Sequence, residues 1–239
     1  MDITDQSTQM QQSTLIFDLA QDKKAAFYRK TYTHLALAVL LFILVEMVFF
    51  QIPFLLKFAL SLTQGWLWLA MLGGFMFVTN YAEKMALGTK DKNKQYVALL
   101  IYVAAEAFIF IPLVFIATQI AGDGGSGILS QAAVMTIALF AGLSGIVLLT
   151  KKDFSFLKSM LSIGFFVALG LIVAGTLFGF NLGLWFSAGM VLLASGSILY
   201  QTSNMVHKYE EDQYVAASLG LFASLMLLFW YILSILNRS

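Results

Sequence analysis

Seven stretches of the chain are each long and apolar enough to pass through a bilayer as a single helix. A crossing helix needs about 20 mostly apolar residues, since each residue advances the axis by about 1.5 Å. The stretches cover residues 32–51, 62–81, 96–116, 128–149, 160–178, 184–202 and 214–236. One soluble core could not absorb them. Of the 239 residues, 60% are apolar and 11% charged, against about 45–50% and about 25% in soluble domains. The excess apolar surface needs lipid around it, so the bilayer is the expected solvent. The same figures exclude a disordered chain and a nucleic-acid binder; the net charge of +1 implies nothing about partners. With no cysteine, a disulfide scaffold and thiolate metal sites are excluded too.

The connectors beyond the second stretch are short: 83–94 is rich in lysine, 121–127 in glycine, and 151–158, 179–183 and 207–212 are as brief. Consecutive helices are therefore expected to be antiparallel neighbours in one transmembrane domain, residues 31–237. A polar tail, residues 1–30, precedes it, with no apolar core long enough for a secretory signal. Its Leu15-Ile16-Phe17 run reads as an interfacial contact or the start of a short helix. Lysine and arginine are retained on the cytoplasmic side of a membrane. With the N-terminus cytoplasmic, all 14 of them except Lys57 and Arg238 fall on that side. An odd number of crossings then leaves the C-terminus periplasmic or extracellular. Trp66, Trp68, Trp185 and Trp230 fall toward the outer helix ends, where an indole keeps its N–H at the headgroups.

Small residues let helices approach in lipid. Gly175 with Gly179, Ala141 with Gly145, Gly170 with Ala174, and the Ser195-Gly196-Ser197 run are expected to mark close-contact faces. Two carboxylates lie inside apolar stretches. Glu106 falls about 15 Å into the third stretch, near its middle, and Glu46 falls nearer the outer end of the first. An acid there must face the bundle interior, find a donor or be protonated. Each is followed by aromatics and a proline, Pro53 and Pro112, and Pro112 frees the carbonyl of Phe108. Two readings stand for these acids: a proton-responsive or ion-facing site, and a structural hydrogen bond.

Other motifs carry less. His34 and His207 have no second histidine or carboxylate at metal-ligand spacing, so no metal site and no cofactor is expected. Glu210-Glu211-Asp212 reads as a solvated loop, with Ca²⁺ binding a distant second. The glycine run 122–127 satisfies GxGxxG but follows a membrane helix rather than a strand, so it reads as a turn. Gly142-Leu143-Ser144-Gly145 matches the GxSG of rhomboid proteases, yet a serine nucleophile needs a histidine within hydrogen-bond reach. Enzymatic activity is not expected.

Three further stretches form a recognisable pattern. Arg29-Lys30-Thr31-Tyr32 leads into the first span, and Lys151-Lys152-Asp153-Phe154-Ser155-Phe156-Leu157 joins the fourth to the fifth. Ser197-Ile198-Leu199-Tyr200-Gln201-Thr202-Ser203-Asn204 closes the sixth. Together they resemble the Bax inhibitor-1 family. The last stretch, with Leu233-Ser234-Ile235-Leu236, is most similar to its bacterial YccA-like branch. The resemblance covers all seven spans and implies a bundle whose seventh helix is surrounded by the other six. It implies two activities in different members: a slow, pH-sensitive Ca²⁺ leak, and restraint of the membrane-anchored AAA protease FtsH.

Leak members pair an acid in the sixth helix with one in the seventh, and two close carboxylates titrate as a coupled pair. Gln201 and Ser224 stand at the matching positions here, and neither titrates. The expectation is an all-α, seven-helix protein of a bacterial inner membrane that modulates an FtsH complex. Its cytoplasmic contact would lie at Lys151, Lys152 and Asp153. The alternative is a Ca²⁺, cation or proton pathway lacking the di-acidic switch and lined by Glu106, Glu46, Gln201, Thr202, Asn204 and Ser224.

Overall fold

The computed structural model describes residues 15–120 and 126–238. The described residues form eight α-helices and one 3₁₀ turn, Ile16–Asp18. The helices are α1 (Gln21–Phe50), α2 (Pro53–Ser61), α3 (Leu67–Leu87), α4 (Lys92–Ile120), α5 (Ser126–Thr150), α6 (Leu157–Phe178), α7 (Gly183–His207) and α8 (Tyr214–Leu236). Helix is the expected outcome for apolar runs in lipid, because it satisfies every backbone group within one segment. Residues 1–14 of the polar tail and most of the 122–127 glycine run lie outside the described residues.

Two boundaries differ from the sequence reading. Helix α1 begins at Gln21, so part of the polar tail is helical before the apolar stretch starts. Between Phe50 and Leu67 the chain forms α2, a helix of 9 residues with Pro53 at its start. Proline fixes φ near the helical value and lacks only an N–H that would be unsatisfied there anyway. At about 14 Å, α2 cannot cross a bilayer. Six helices (α1, α4, α5, α6, α7 and α8) meet the length and hydropathy of a membrane span. Helix α3 has 21 residues, enough for about 30 Å, but Asn80, Glu83 and Lys84 occupy its last turns. The protein is thus an all-helical, multi-span membrane protein.

Helix α8 lies in the middle. It packs against α1, α3, α4, α5 and α7, and residues 215–222 are buried without interruption. Ala216, Ala217, Ser218 and Gly220 give α8 the small side chains that let neighbouring helices close in around it. Its Tyr231 also packs with Ala168 of α6 and Met190 of α7. Helix α6 is peripheral, burying little besides Ala168 and Gly175.

The glycines pack differently from the expected stripes. Gly179 has φ 71° and ends α6 in the left-handed conformation, so it is a cap and not half of a helix–helix face. A methyl group at Gly175 would meet the chain just past α6, at Phe180 O and Leu182. Around Gly145 and Gly170 there is open space. The Ser195-Gly196-Ser197 run does mark a close contact: Gly196 lies against Leu161 of α6, and the same α6–α7 approach runs through Gly164, which lies against Leu193.

The connectors sort by charge to the two ends of the bundle. At the basic end, Lys90 of the α3–α4 connector pairs with Glu210 of the α7–α8 connector at 2.8 Å. Lys23 near the start of α1 pairs with Glu211 at 3.4 Å. The acidic run is therefore a tie between connectors rather than a free loop. The opposite end holds the four tryptophans. Trp66 and Trp185 are exposed, as a belt residue should be. Trp68 and Trp230 instead turn inward and stack on each other, with ring centroids 6.2 Å apart.

Candidate functional site

A crevice of about 270 Å³ lies along α8, walled by α3, α4, α6 and α7. The residues expected to mark an ion path meet here only in part. Glu106 of α4, Gln201 of α7 and Ser224 of α8 all line it. Ser224 Oγ donates to Gly220 O at 3.1 Å and shares a hydrogen bond of 2.8 Å with Ser197 Oγ. Gly220 keeps α8 thin at this level, since a methyl group there would stand 2.9 Å from Gln201 Oε1. Glu106 is buried at 5% exposure, beside Tyr102 one turn earlier on α4.

The crevice contains an acid that sequence reasoning missed. Glu83 of α3, assigned to a charged connector, also lines it. Glu83 is exposed while Glu106 is deep, so the two carboxylates mark its mouth and its interior. Trp68 and Trp230 close the other end. From Glu83 to Trp68 along α3 is about 22 Å, most of the hydrocarbon thickness of a bilayer, about 30 Å. The signal that could have found Glu83 is its place one helical turn past Thr79, on the continuing helix, and not in a loop.

Glu46, Thr202 and Asn204 lie elsewhere. Glu46 is buried on α1 and lines a separate groove toward α5. Thr202 is fully buried and shares a hydrogen bond of 3.3 Å with Ser144 of α5. Asn204 is buried near the basic end of α7, and its side-chain carbonyl has no hydrogen-bond partner. Neighbouring Ser203, fully buried, ties the α5–α6 connector down. Its hydroxyl donates to Asp153 Oδ1 at 3.2 Å and accepts from Phe154 N at 2.9 Å. Asp153 Oδ1 also accepts from Ser155 N at 2.8 Å. These bonds hold the Asp153 carboxyl below its ordinary range, Ser155 contributing most. Lys151 and Lys152 remain exposed.

The N-terminal segment joins the same end. Ile16 is fully buried and donates its N–H to Tyr209 O at 2.9 Å. Leu15 bridges to Glu210, and Phe17 stacks on His207 with centroids 5.1 Å apart. Of the two expectations for this run, the short helix is what forms, as the 3₁₀ turn Ile16–Asp18, and the run packs on the end of α7 and the α7–α8 connector.

Neither histidine reaches Ser144. His34 bonds Lys30 O at 2.7 Å and Tyr96 Oη at 2.9 Å, while His207 bonds Ser203 O at 2.9 Å. The GxSG match therefore has no serine–histidine pair behind it. No cluster of metal-ligating side chains occurs among the described residues.

A multi-span helical bundle wrapped around α8, with a mostly apolar crevice beside that helix that holds a few polar side chains, defines a class of integral membrane protein. Within that class the chain belongs to the Bax inhibitor-1 family: the family model described as inhibitor of apoptosis-promoting Bax1 matches residues 24–239. Among similar proteins, the modulator of FtsH protease YccA of Escherichia coli is 38% identical over 115 residues, 48% of this chain and 52% of its own length. An uncharacterized protein of Pseudomonas aeruginosa is 43% identical over 114 residues, 47% of this chain and 50% of its own. The Golgi anti-apoptotic protein of Vaccinia virus is 32% identical over 117 residues, 47% of this chain and 48% of its own. The chain spans about half the length of these curated relatives.

Proposed function

We propose that this protein is a non-enzymatic, inner-membrane modulator of a membrane-anchored AAA protease of the FtsH type. The observation that carries the reading is the similarity to YccA, which is named for that role. The basic end supports it. There the docked N-terminal segment, the paired connectors and exposed Lys151 and Lys152 form one continuous surface of soluble parts. In this reading the basic end is cytoplasmic, α3 completes seven crossings and the C-terminus lies outside. The test is affinity purification of the tagged full-length chain from its own membranes, with the turnover of a short-lived membrane substrate of the protease followed in parallel. Co-purification of the protease and slower turnover on overexpression are expected. Absence of both overturns the reading.

The crevice favours a second reading, a slow cation path. Its observation is the pair Glu83 and Glu106, one at the mouth and one deep. Gln201 and Ser224 do not titrate, so such a path lacks a coupled acid pair at that place. In liposomes holding only this protein, Ca²⁺ flux altered by Glu106→Gln supports the path, and flux equal to that of empty liposomes removes it. A steep acid inhibition lost in Gln201→Ala would contradict the assignment of the titrating group.

A further inference from the structure

On the side of the bundle away from the crevice, α1 and α5 stand apart over a floor made by α4 and α8, leaving a groove of about 680 Å³. This is the size of a small-molecule site, about 300–1,000 Å³. Ile43 and Met47 on one lip and Ile137 on the other are exposed, so the groove opens sideways to the acyl chains of the bilayer. Its hydroxyls are already engaged: Thr118 donates to Phe115 O, Thr136 to Ala132 O and Ser130 to Gly127 O. Glu46 is not. It lines the groove at 7% exposure, and neither carboxylate oxygen has a hydrogen-bond partner.

A buried carboxyl without a donor is costly, and more so in lipid. Gln51 also lines the groove but gives Glu46 no hydrogen bond, so the carboxyl is left either to hold a proton or to take a donor from outside the chain, through an apolar opening. We propose that this groove binds a single-chain amphiphile with an ammonium head, the head meeting Glu46 and the alkyl chain lying between α1 and α5. The lengths agree. Glu46 is one turn from the end of α1, about 6 Å, which keeps a charged head close to the membrane interface. Val39, at the other end of the groove, is about 10 Å deeper along α1, room for an extended alkyl segment. An ammonium supplies several donors together with the opposite charge that favours the ionised form of a buried carboxyl. A fatty acid would bring a second carboxylate, and an alcohol only one neutral donor. The site is independent of the protease reading and of the crevice.

The test is equilibrium binding of radiolabelled hexadecylamine to the full-length protein in detergent, with hexadecanol and palmitate as competitors. One saturable site per chain is expected, with Glu46→Gln weakening it at least tenfold. Ala133→Phe, which fills the groove and keeps the carboxyl, abolishes it. Hexadecanol competes at least tenfold less well than unlabelled hexadecylamine, and palmitate does not compete. Uptake that only follows partition into micelles, equal competition by hexadecanol, or wild-type binding by either folded variant overturns the proposal.

Discussion

The hydroxyls of Ser197 on α7 and Ser224 on α8 lie 2.8 Å apart at the wall of the crevice. The contact joins the central helix to its most extensive neighbour through two groups that stay neutral at every accessible pH. Interhelical hydrogen bonds of this kind in membranes contribute about 0.6 kcal/mol on average and up to about 1.7. Ser224→Ala is therefore expected to lower the unfolding temperature of the detergent-solubilised protein slightly. The decrease should be the same at pH 5 and pH 8. A decrease confined to one pH would show that a titrating group shares the contact.

The glycines make a paired prediction. Gly164→Ala puts a methyl group against the end of the Leu193 side chain, which has to turn aside, and this overpacking offsets the gain in helix propensity. Gly170→Ala adds a methyl group in open space and gains up to about 1 kcal/mol in helix propensity. Gly164→Ala should unfold at the lower temperature of the two, and Gly170→Ala above the wild type. Equal destabilisation would show that α6 meets a neighbour through Gly170.

Asp153 gives a pH dependence with a definite sign. Its carboxyl is held below the ordinary range by Ser155 and Ser203. A depressed folded value contributes stability above the unfolded value, about 3.9, and loses it as pH falls through the folded one. Asp153→Asn should thus unfold at lower temperature than the wild type at pH 7, and the gap should close on acidification below pH 4. Lys90 is the mirror case. Its bond to Glu210, and then the charge of Glu210, raise it. Its contribution is complete below the ordinary lysine value and is lost as pH rises through the raised one.

Much of this was legible in the sequence because lipid leaves so few choices. Length and hydropathy located six helices that meet the requirements of a span, with the stretch 62–81 falling partly on α3, which does not meet them, and the basic connectors read as sharing a side from charge alone. The resemblance placed α8 at the centre. Three things were hidden, each for a physical reason. Helix α2 was missed because 9 residues starting at a proline read as a loop. Glu83 was taken for a connector charge because helix α3 runs on past its apolar stretch, and only tertiary packing turns that turn toward Glu106. Gly175 and Gly179 matched a packing motif, while the actual close approach falls on Gly196, inside an expected run, and on Gly164, whose spacing to Ala168 is the same but which has nothing in sequence to set it apart. A pattern of small residues says where approach is possible, and the neighbours decide where it occurs.

The central claim is that the chain crosses the membrane an odd number of times with its basic connectors on the cytoplasmic side. The protein has no cysteine, so single-cysteine variants Lys152→Cys and Arg238→Cys can be probed with a membrane-impermeant maleimide in intact cells and in inverted vesicles. The account predicts labelling of position 238 only in cells and of position 152 only in inverted vesicles. Labelling of both positions from one side would contradict it.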